Sequence, residues 1–229
     1  MLFIVSTPIG NIKDVSLRAL EVLSSVNTII CEDTRITGQL LSRYNKLGLI
    51  KSEQKPTLIS FHEHNEQIRL PQIISLLHKT DIALVSSAGT PTISDPGFKL
   101  IRTCHQNNIA VVSIPGPTAL ISALSTSGKP TDKFLFLGFL PKKELKKEKL
   151  LSNAKQVRDL KPFSHLTFIA YESPHKLLKT LFIINKVFGN IDLAIASELT
   201  KKFEKTHLDT LENHLKTITT PKGEYTLVF

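Results

Sequence analysis

Short apolar runs alternate with longer stretches of helical periodicity along the first half of the chain. The runs are rich in Ile and Val, as are strands buried on both faces of a sheet. They predict strands at residues 2–6, 28–31, 57–61, 82–86 and 109–114. The stretches between them predict helices near residues 16–24, 36–46, 66–78, 98–107 and 118–125. The third pattern contains Pro71, so that helix is expected to start or kink there. This alternation favours a mostly parallel sheet covered by helices on both faces.

A break in this pattern at residues 128–132, whose sequence GKPTD is typical of a linker, divides the chain. A second round of elements follows it. Strands are predicted at residues 134–139, 166–170, 191–197 and 225–229, and helices at residues 144–157, 175–187 and 210–217. We therefore predict two α/β domains, residues 1–128 and residues 129–229.

Composition is that of an ordinary globular protein, with 41% hydrophobic and 21% charged residues. No apolar stretch reaches the roughly 20 residues that a membrane-spanning helix needs. The N-terminus passes directly from Met1 into a strand-like run and lacks the basic start and cleavage site of a secretory signal. We therefore expect a cytoplasmic protein that makes no use of a membrane. Cys31 and Cys104 are expected to be reduced thiols.

The formal net charge of +9 favours polyanionic partners, because each phosphate that is neutralised releases condensed counterions. Charge alone does not decide the matter, since many basic proteins bind no nucleic acid. The lysine-rich run at residues 142–149, KKELKKEK, is read in two ways. It is either a solvated helix face or a surface that contacts RNA.

Three loops of small residues follow three of the predicted strands. They are residues 6–11 (STPIGN), 86–97 (SSAGTPTISDPG) and 115–119 (PGPTA). Gly and Pro can simply make tight turns. Ligands, however, bind beyond the carboxyl ends of the strands in open α/β sheets, and small residues let the backbone approach a ligand closely. Three such loops therefore predict a ligand pocket, although they contain neither a dinucleotide fingerprint nor a P-loop.

These loops resemble those of the tetrapyrrole-methylase superfamily of S-adenosylmethionine-dependent enzymes, and in particular its ribosomal-RNA-methylating branch. Further segments that resemble this branch are residues 32–35 (EDTR), 62–65 (HEHN), 138–141 (GFLP), 171–175 (YESPH), 198–201 (ELTK) and 222–225 (KGEY). They occur in the family's order and cover essentially the whole chain.

The resemblance implies a first domain with a mostly parallel sheet, a smaller second domain with a mixed sheet, and a methyl donor bound in the cleft between them. It also implies a homodimer that methylates the ribose 2′-hydroxyl of a cytidine in 16S ribosomal RNA, near the decoding centre of the small subunit. The residues expected to bind S-adenosylmethionine are Pro8, Ile9, Gly10, Ser87, Ala88, Gly89, Thr90, Thr118, Ala119, Tyr171 and Leu199.

The sequence departs from the family pattern in two places. Ser87 stands where the family usually has Asp, so a carboxylate that contacts the donor or supports the loop is replaced by a hydroxyl. The sequence also ends at Phe229, where many members continue into a helical segment. If that segment grips RNA in those members, this protein is expected to rely on its basic surface or on its dimer.

A ribose hydroxyl is a poor nucleophile, so a base or a cation near it should assist methyl transfer. We predict this role for Asp33 and Arg35 after the second strand, and for Glu172 and Lys201 in the second domain. Asp33 and Arg35 could equally form a helix cap with an ion pair, and Glu172 could cap the helix that follows it. His62 and Glu63 are further candidates. His62 and His64 suggest zinc, but a third ligand is lacking, and we predict no metal site.

Two other functions remain open. A small-molecule methylase acting on a tetrapyrrole would use the same scaffold, but its pocket should have more aromatic and fewer basic residues. An RNA-binding module without a donor would leave the three Gly/Pro loops unexplained. It would also need stacking aromatics, and the sequence has no Trp and three Tyr.

Overall fold

The computed structural model describes residues 1–50 and 55–229. These residues form two compact units, Met1–Thr118 and Ala119–Phe229. The chain thus divides ten residues before the break that the composition suggests, and the prediction of a domain boundary at residue 128 stays a prediction. Within the described residues, no helix combines the length and the apolarity needed to cross a bilayer.

The first unit is built on five strands that all run parallel, in the order β3-β2-β4-β1-β5. The strands are β1 Leu2–Val5, β2 Thr28–Cys31, β3 Thr57–Ser60, β4 Ile82–Val85 and β5 Val111–Ile114. Their helices are α1 Leu17–Ser25, α2 Thr34–Lys46, α3 Glu66–Leu77 and α4 Phe98–Gln106. Every strand and helix predicted for this part of the chain is confirmed. Of the two alternatives for the third helix, a start at Pro71 is wrong, since α3 begins at Glu66 and runs through Pro71.

Alternate side chains of the strands point to opposite faces of the sheet. On β1, Val5 packs in a core with α1 and α2, whereas Ile4 packs in a second core with α3 and α4. Cys31 and Cys104 lie in different cores as free, buried thiols, as expected. The near-continuous apolar strands follow from this burial on both faces.

The strand order reverses between β1 and β4, which are neighbours. The chain leaves β1 toward β2 on one side, and leaves β4 toward β5 on the other. Successive connections therefore diverge beyond the carboxyl ends of β1 and β4, and this divergence opens a crevice where α/β proteins bind ligands.

The second unit contains a mixed sheet in the order β6-β7-β10-β8-β9, in which only β6 and β7 pair in parallel. The strands are β6 Phe134–Phe139, β7 Thr167–Glu172, β8 Asp192–Ser197, β9 Lys205–Thr210 and β10 Tyr225–Val228. The helices are α5 Ala119–Thr126, α6 Glu144–Asp159, α7 Leu177–Phe188 and α8 Leu211–Thr217. Helices α6, α7 and α8 share one apolar core with the sheet, and α5 packs against β7 and β10.

Two features of this unit differ from the sequence-based expectation. Strand β9 was not predicted, because it is an edge strand with no fully buried residue and therefore lacks an apolar pattern. The lysine-rich run is not solvated throughout, since Lys147 is buried in α6 beside Leu151 and Ala154.

Candidate active site

The loops after β1 and β4 are joined by a two-residue backbone bridge. The amide of Thr7 donates to the carbonyl of Gly89 at 2.9 Å, and the amide of Gly89 donates to the carbonyl of Thr7 at 3.0 Å. Behind the bridge, the hydroxyl of buried Ser86 donates to the Gly89 carbonyl at 2.9 Å. The bridge spans the point where the strand order reverses, so the crevice has a fixed floor.

The loop after β5 is tied to the same place. The hydroxyl of Thr90 donates to the carbonyl of Pro117 at 3.0 Å and lies 3.0 Å from the hydroxyl of Ser6, which therefore donates to it. A Cβ atom on Gly116 would lie only 2.7 Å from Cβ of Ser6, so this position requires glycine. All three loops predicted to form a pocket meet at the carboxyl edge of the sheet.

The β4 loop is held in an uncommon conformation. Gly89 has φ +83, and a Cβ there would lie 3.2 Å from Ile9 Cγ2. Thr92 and Ser94 also have positive φ, 72 and 66, which costs energy for residues that carry side chains. Such backbone persists only where the surroundings determine it, and it is concentrated at ligand sites.

The residues of the first unit that are predicted to bind the methyl donor lie on the solvent-accessible side of these loops. Pro8, Ile9, Gly10, Ala88 and Thr90 all retain exposed surface, and Gly89 is buried under them. Thr118 ends the same β5 loop, and Ala119 begins α5. The structure thus brings together those residues of the first unit that are predicted to bind the methyl donor.

Three residues that hold the loops lie in the predicted pocket loops but were not among the predicted site residues: Ser6, Thr7 and Ser86. Each is nearly inaccessible to solvent and uses its side chain or backbone to connect two loops. A hydroxyl residue directly after a buried strand is the only signal that the sequence offers for them.

An acidic cluster borders the β4 loop. The hydroxyl of Ser87, the residue that departs from the family pattern, donates to Glu32 Oε2 at 2.9 Å. Burial raises the pKa of Asp95 to about 6, with a further contribution from the charge of Glu32, although the polar side chain of Ser86 opposes the shift. An aspartate at position 87 would place a further carboxylate against Glu32.

Asp33 is the N-cap of α2, and its carboxylate accepts hydrogen bonds from the amides of Arg35 and Ile36. It also forms a bidentate ion pair with Arg35, at 3.2 Å from Nε and 2.7 Å from Nη2. These hydrogen bonds, led by that of the Arg35 side chain, lower the pKa of Asp33 to about 2. Asp33 is therefore a permanent anion, while the Arg35 side chain stays 85% exposed and available to a substrate.

Glu172 lies in a buried network of the second unit. Its Oε2 is 2.9 Å from Lys147 Nζ and accepts a hydrogen bond from the Thr180 hydroxyl at 2.6 Å, and Lys147 also contacts that hydroxyl. The other oxygen accepts from the amide of Ser173 at 2.8 Å. Both side chains of the ion pair are 2% exposed or less. Glu172 therefore holds β7 to α6 and α7.

Lys201 is enclosed by two carboxylates, Glu198 at 3.1 Å and Glu224 at 2.8 Å. Burial alone would lower the pKa of Lys201, but hydrogen bonds to Glu224 and Glu198 outweigh it and raise that pKa. The ammonium stays charged at neutral pH, so Lys201 cannot act as a base there.

Tyr171 and Leu199 lie at the same edge of the second sheet as Lys201, because β7 and β8 both run antiparallel to β10. The Tyr171 hydroxyl accepts from the amide of Leu120 at 3.1 Å, and Leu199 is buried. The structure thus brings the predicted residues of the second unit to one edge. The rings of His62 and His64 lie 6.0 Å apart, and the described residues contain no group of three potential metal ligands.

Comparison with known proteins agrees with this architecture. The family model described as Tetrapyrrole (Corrin/Porphyrin) Methylases matches residues 1–214. A crystal structure of diphthine synthase aligns with a TM-score of 0.69 at 11% identity, covering 100% of this chain and 89% of that one. Uroporphyrin-III C-methyltransferase from Thermus thermophilus, complexed with S-adenyl homocysteine, aligns with a TM-score of 0.61 at 12% identity, covering 99% and 96%. These structures share the fold.

Relatives of much higher identity are known. "Ribosomal RNA small subunit methyltransferase I" of a Hydrogenobaculum species is 46% identical over 99% of this chain and 94% of its own length. The protein of the same name from a Synechocystis species is 43% identical over 100% of this chain and 78% of its own length. The chain belongs to the tetrapyrrole methylase family and, within it, to the group of ribosomal RNA small subunit methyltransferase I.

Proposed function

We propose that this protein transfers a methyl group from S-adenosylmethionine to 16S ribosomal RNA, at the 2′-hydroxyl of a cytidine near the decoding centre. The observation that carries the proposal is the joining of three small-residue loops at the switch point of the parallel sheet. The relatives named above supply the substrate class.

The residues at these loops fit the methyl donor chemically. Backbone carbonyls and amides are presented without bulky side chains, and the acidic residues Glu32 and Asp95 border the β4 loop. Anionic surroundings favour a ligand that carries a sulfonium and an ammonium group. When bound, S-adenosylmethionine supplies an electrophilic methyl carbon. We assign its binding to Pro8, Ile9, Gly10, Ser87, Ala88, Gly89, Thr90, Thr118 and Ala119, with Tyr171 and Leu199 from the second unit.

The acceptor ribose needs to be positioned and its developing charge stabilised. Asp33 holds Nε and Nη2 of Arg35, so the Nη1 hydrogens remain for a phosphate of the RNA. Lys201 is a fixed cation that suits the same purpose in the second unit. Glu172 supports the site through Lys147 and Thr180, because both of its oxygens are occupied by hydrogen bonds.

A small-molecule methylase acting on a tetrapyrrole is the second candidate, and the structural neighbours include one. The net charge of +9 favours RNA. One assay separates the two. The purified protein is incubated with donor carrying a labelled methyl group, and with free small-subunit RNA, assembled small subunits or a tetrapyrrole precursor. Label in RNA at a 2′-O-methylated cytidine supports the proposal, and label only in the tetrapyrrole contradicts it.

We also propose a homodimer that works in the cytoplasm, where small subunits are assembled. Strand β6 is an edge strand with Phe134 and Leu135 each 40% exposed, and Phe203 is 75% exposed. Unpaired edges and exposed apolar side chains are typical of association surfaces. Light scattering on the eluted protein tests the dimer, and a monomeric mass at assay concentrations would contradict it.

A further inference from the structure

The positive charge of the protein is concentrated in its second unit. Residues 119–229 contain 18 Lys and Arg against 11 Asp and Glu, a net charge of +7. Residues 1–118 contain 11 against 9, a net charge of +2. An electrostatic surface for RNA should therefore be sought in the second unit.

Helix α6 separates its charges by face. Two of its three acidic residues are paired with lysines of α7, Glu144 with Lys179 at 3.4 Å and Glu148 with Lys186 at 2.7 Å. The exposed lysines at and before its start have no acidic partner within 4.0 Å in the described part of the chain. They are Lys142, Lys143, Lys146 and Lys149, here called the α6 basic stripe.

The spacing places this stripe away from the core. The buried residues Lys147, Leu151 and Ala154 follow i, i+4 and i+7 and face the sheet. At 100° per residue, Lys149 lies on the opposite side of the helix from Lys147, and Lys146 lies on its flank. Lys142 and Lys143 lie just before the first turn of α6, and Lys146 and Lys149 lie roughly 4.5 Å apart along its axis. The stripe is therefore long enough for about two or three phosphates of one strand.

An exposed aromatic ring stands at the start of the stripe. Phe139, the last residue of β6, is 62% exposed, and its ring centre lies 5.4 Å from that of Tyr171. The two residues are in register on neighbouring parallel strands, so Phe139 lies at the same sheet edge as the predicted site residues Tyr171 and Glu172. Unpaired RNA bases stack on such rings.

We propose that the α6 basic stripe and Phe139 form the RNA-docking surface. The lysines bind the phosphates of a single-stranded segment, and a base of that segment stacks on Phe139 as the strand approaches the site edge. This inference rests on the proposed function, because it assigns a surface to the RNA substrate.

The test compares two variants with equal charge change. The stripe variant carries Lys142→Gln, Lys146→Gln and Lys149→Gln. The control carries Lys46→Gln, Lys79→Gln and Lys216→Gln, three exposed lysines elsewhere. Affinity for fluorescently labelled small-subunit RNA is measured by anisotropy over a range of KCl concentrations. We expect the stripe variant to bind at least tenfold more weakly than the control at low salt, with a slope of log affinity against log salt that is smaller by about two.

The stacking step has its own variants. Phe139→Ala should raise KM for small subunits severalfold with little change in kcat, and Phe139→Tyr should restore the wild-type KM, because stacking needs a ring rather than this particular residue. Affinity for S-adenosylmethionine, measured by calorimetry, should match the wild type in all of these variants. Equal KM values for Phe139→Ala and Phe139→Tyr would overturn the stacking role.

The outcomes separate this inference from the proposed function. If the wild-type protein methylates no small-subunit RNA, the proposed function fails. If it does, and the stripe variant binds RNA like the control, the docking surface is wrong. Sedimentation with anionic phospholipid vesicles that is lost only in the stripe variant, without a change in RNA binding, would assign the stripe to a membrane surface and likewise overturn the inference.

Discussion

The hydroxyl of Ser87 donates a hydrogen bond to the carboxylate of Glu32 at 2.9 Å, and so connects the loop after β4 to the end of β2. A residue that departs from the family pattern thus makes a specific contact. Replacement of this serine by the usual aspartate tests what the hydroxyl contributes.

Ser87→Asp should make stability depend more strongly on pH. The new carboxylate would face Glu32 near Asp95, and like charges roughly 4 Å apart cost between about 1 kcal/mol in bulk water and about 4 kcal/mol near a protein surface. Asp95, with a pKa of about 6, is mostly protonated at pH 5 and ionised at pH 8. The repulsion between the carboxylates is therefore weaker at pH 5, and the melting temperature relative to wild type should fall more at pH 8 than at pH 5. Ser87→Asn, which adds no charge, is the control. Equal losses at both pH values would contradict the repulsion.

The Asp95→Asn variant should become more stable than the wild type as the pH rises. A folded pKa of about 6, above the ordinary value of 3.8, means that the folded state binds the proton more tightly than the unfolded state does. The wild-type protein therefore loses free energy of unfolding as the pH rises from 4 to 6, because Asp95 is then ionised at a cost in the folded state. The variant should gain about 1 kcal/mol relative to wild type between pH 4 and pH 7.5, after allowance for solvent screening, in urea unfolding. A pH-independent difference would refute the assignment.

Lys147→Met should destabilise the protein by about 3 kcal/mol or more, because it leaves the buried carboxylate of Glu172 without its cation. Adding Glu172→Gln removes that charge and should recover part of the loss. Urea unfolding of the two single variants and the double variant gives the coupling. Strictly additive losses would mean that the pair does not interact as the geometry indicates.

Arg35→Ala should leave the fold and the donor site intact, because an ion pair with so exposed a side chain is screened by solvent and contributes little to stability. If Arg35 holds the RNA acceptor, turnover on small subunits should drop about a hundredfold, roughly 2.7 kcal/mol of barrier. Melting temperature and calorimetric donor affinity serve as controls. A stable, donor-binding variant with near-normal turnover would remove Arg35 from the site.

Gly116→Ala should weaken donor binding tenfold or more, about 1.4 kcal/mol, because the new Cβ collides with Ser6 and separates the β1 and β5 loops. Gly38→Ala is the matched control. Its Cβ would meet Leu58 Cδ1 at an ordinary 3.8 Å inside α2, where alanine favours the helix. Calorimetry with S-adenosylmethionine should separate the two, and equal affinities would mean that the loops need not meet to bind donor.

The sequence predicts the buried strands and the loops well, because these features are local. The run Ile82–Val85 is apolar at every position, and the small residues that follow it are consecutive. Strand β9 escapes prediction because its backbone is fixed by pairing with β8 rather than by its own apolar residues.

Features that depend on contacts between residues far apart in the chain could not be predicted from the sequence. Lys147 belongs to a lysine-rich run, and its partners Glu172 and Thr180, 25 and 33 residues away, account for its burial. The contact between Ser6 and Thr90 joins residues 84 positions apart. For Asp33 the structure adds a definite local geometry, a helix cap with an ion pair, which the tetrapeptide allowed but could not establish.

The order of strands in the two sheets constrains how the polypeptide folds during synthesis. Strand β1 leaves the ribosome first, yet both of its neighbours, β4 and β5, lie some 80 and 110 residues further along. In the second sheet, β10 separates β7 from β8 and is the last strand to be made. In the first sheet β1 and β2 cannot be joined until β4 has emerged between them, and in the second sheet β7 and β8 cannot be joined until β10 has emerged. Pairing between such distant segments is slow. Nascent chains of this enzyme should therefore expose unpaired strand edges for most of their translation, and would benefit from chaperones that shield them.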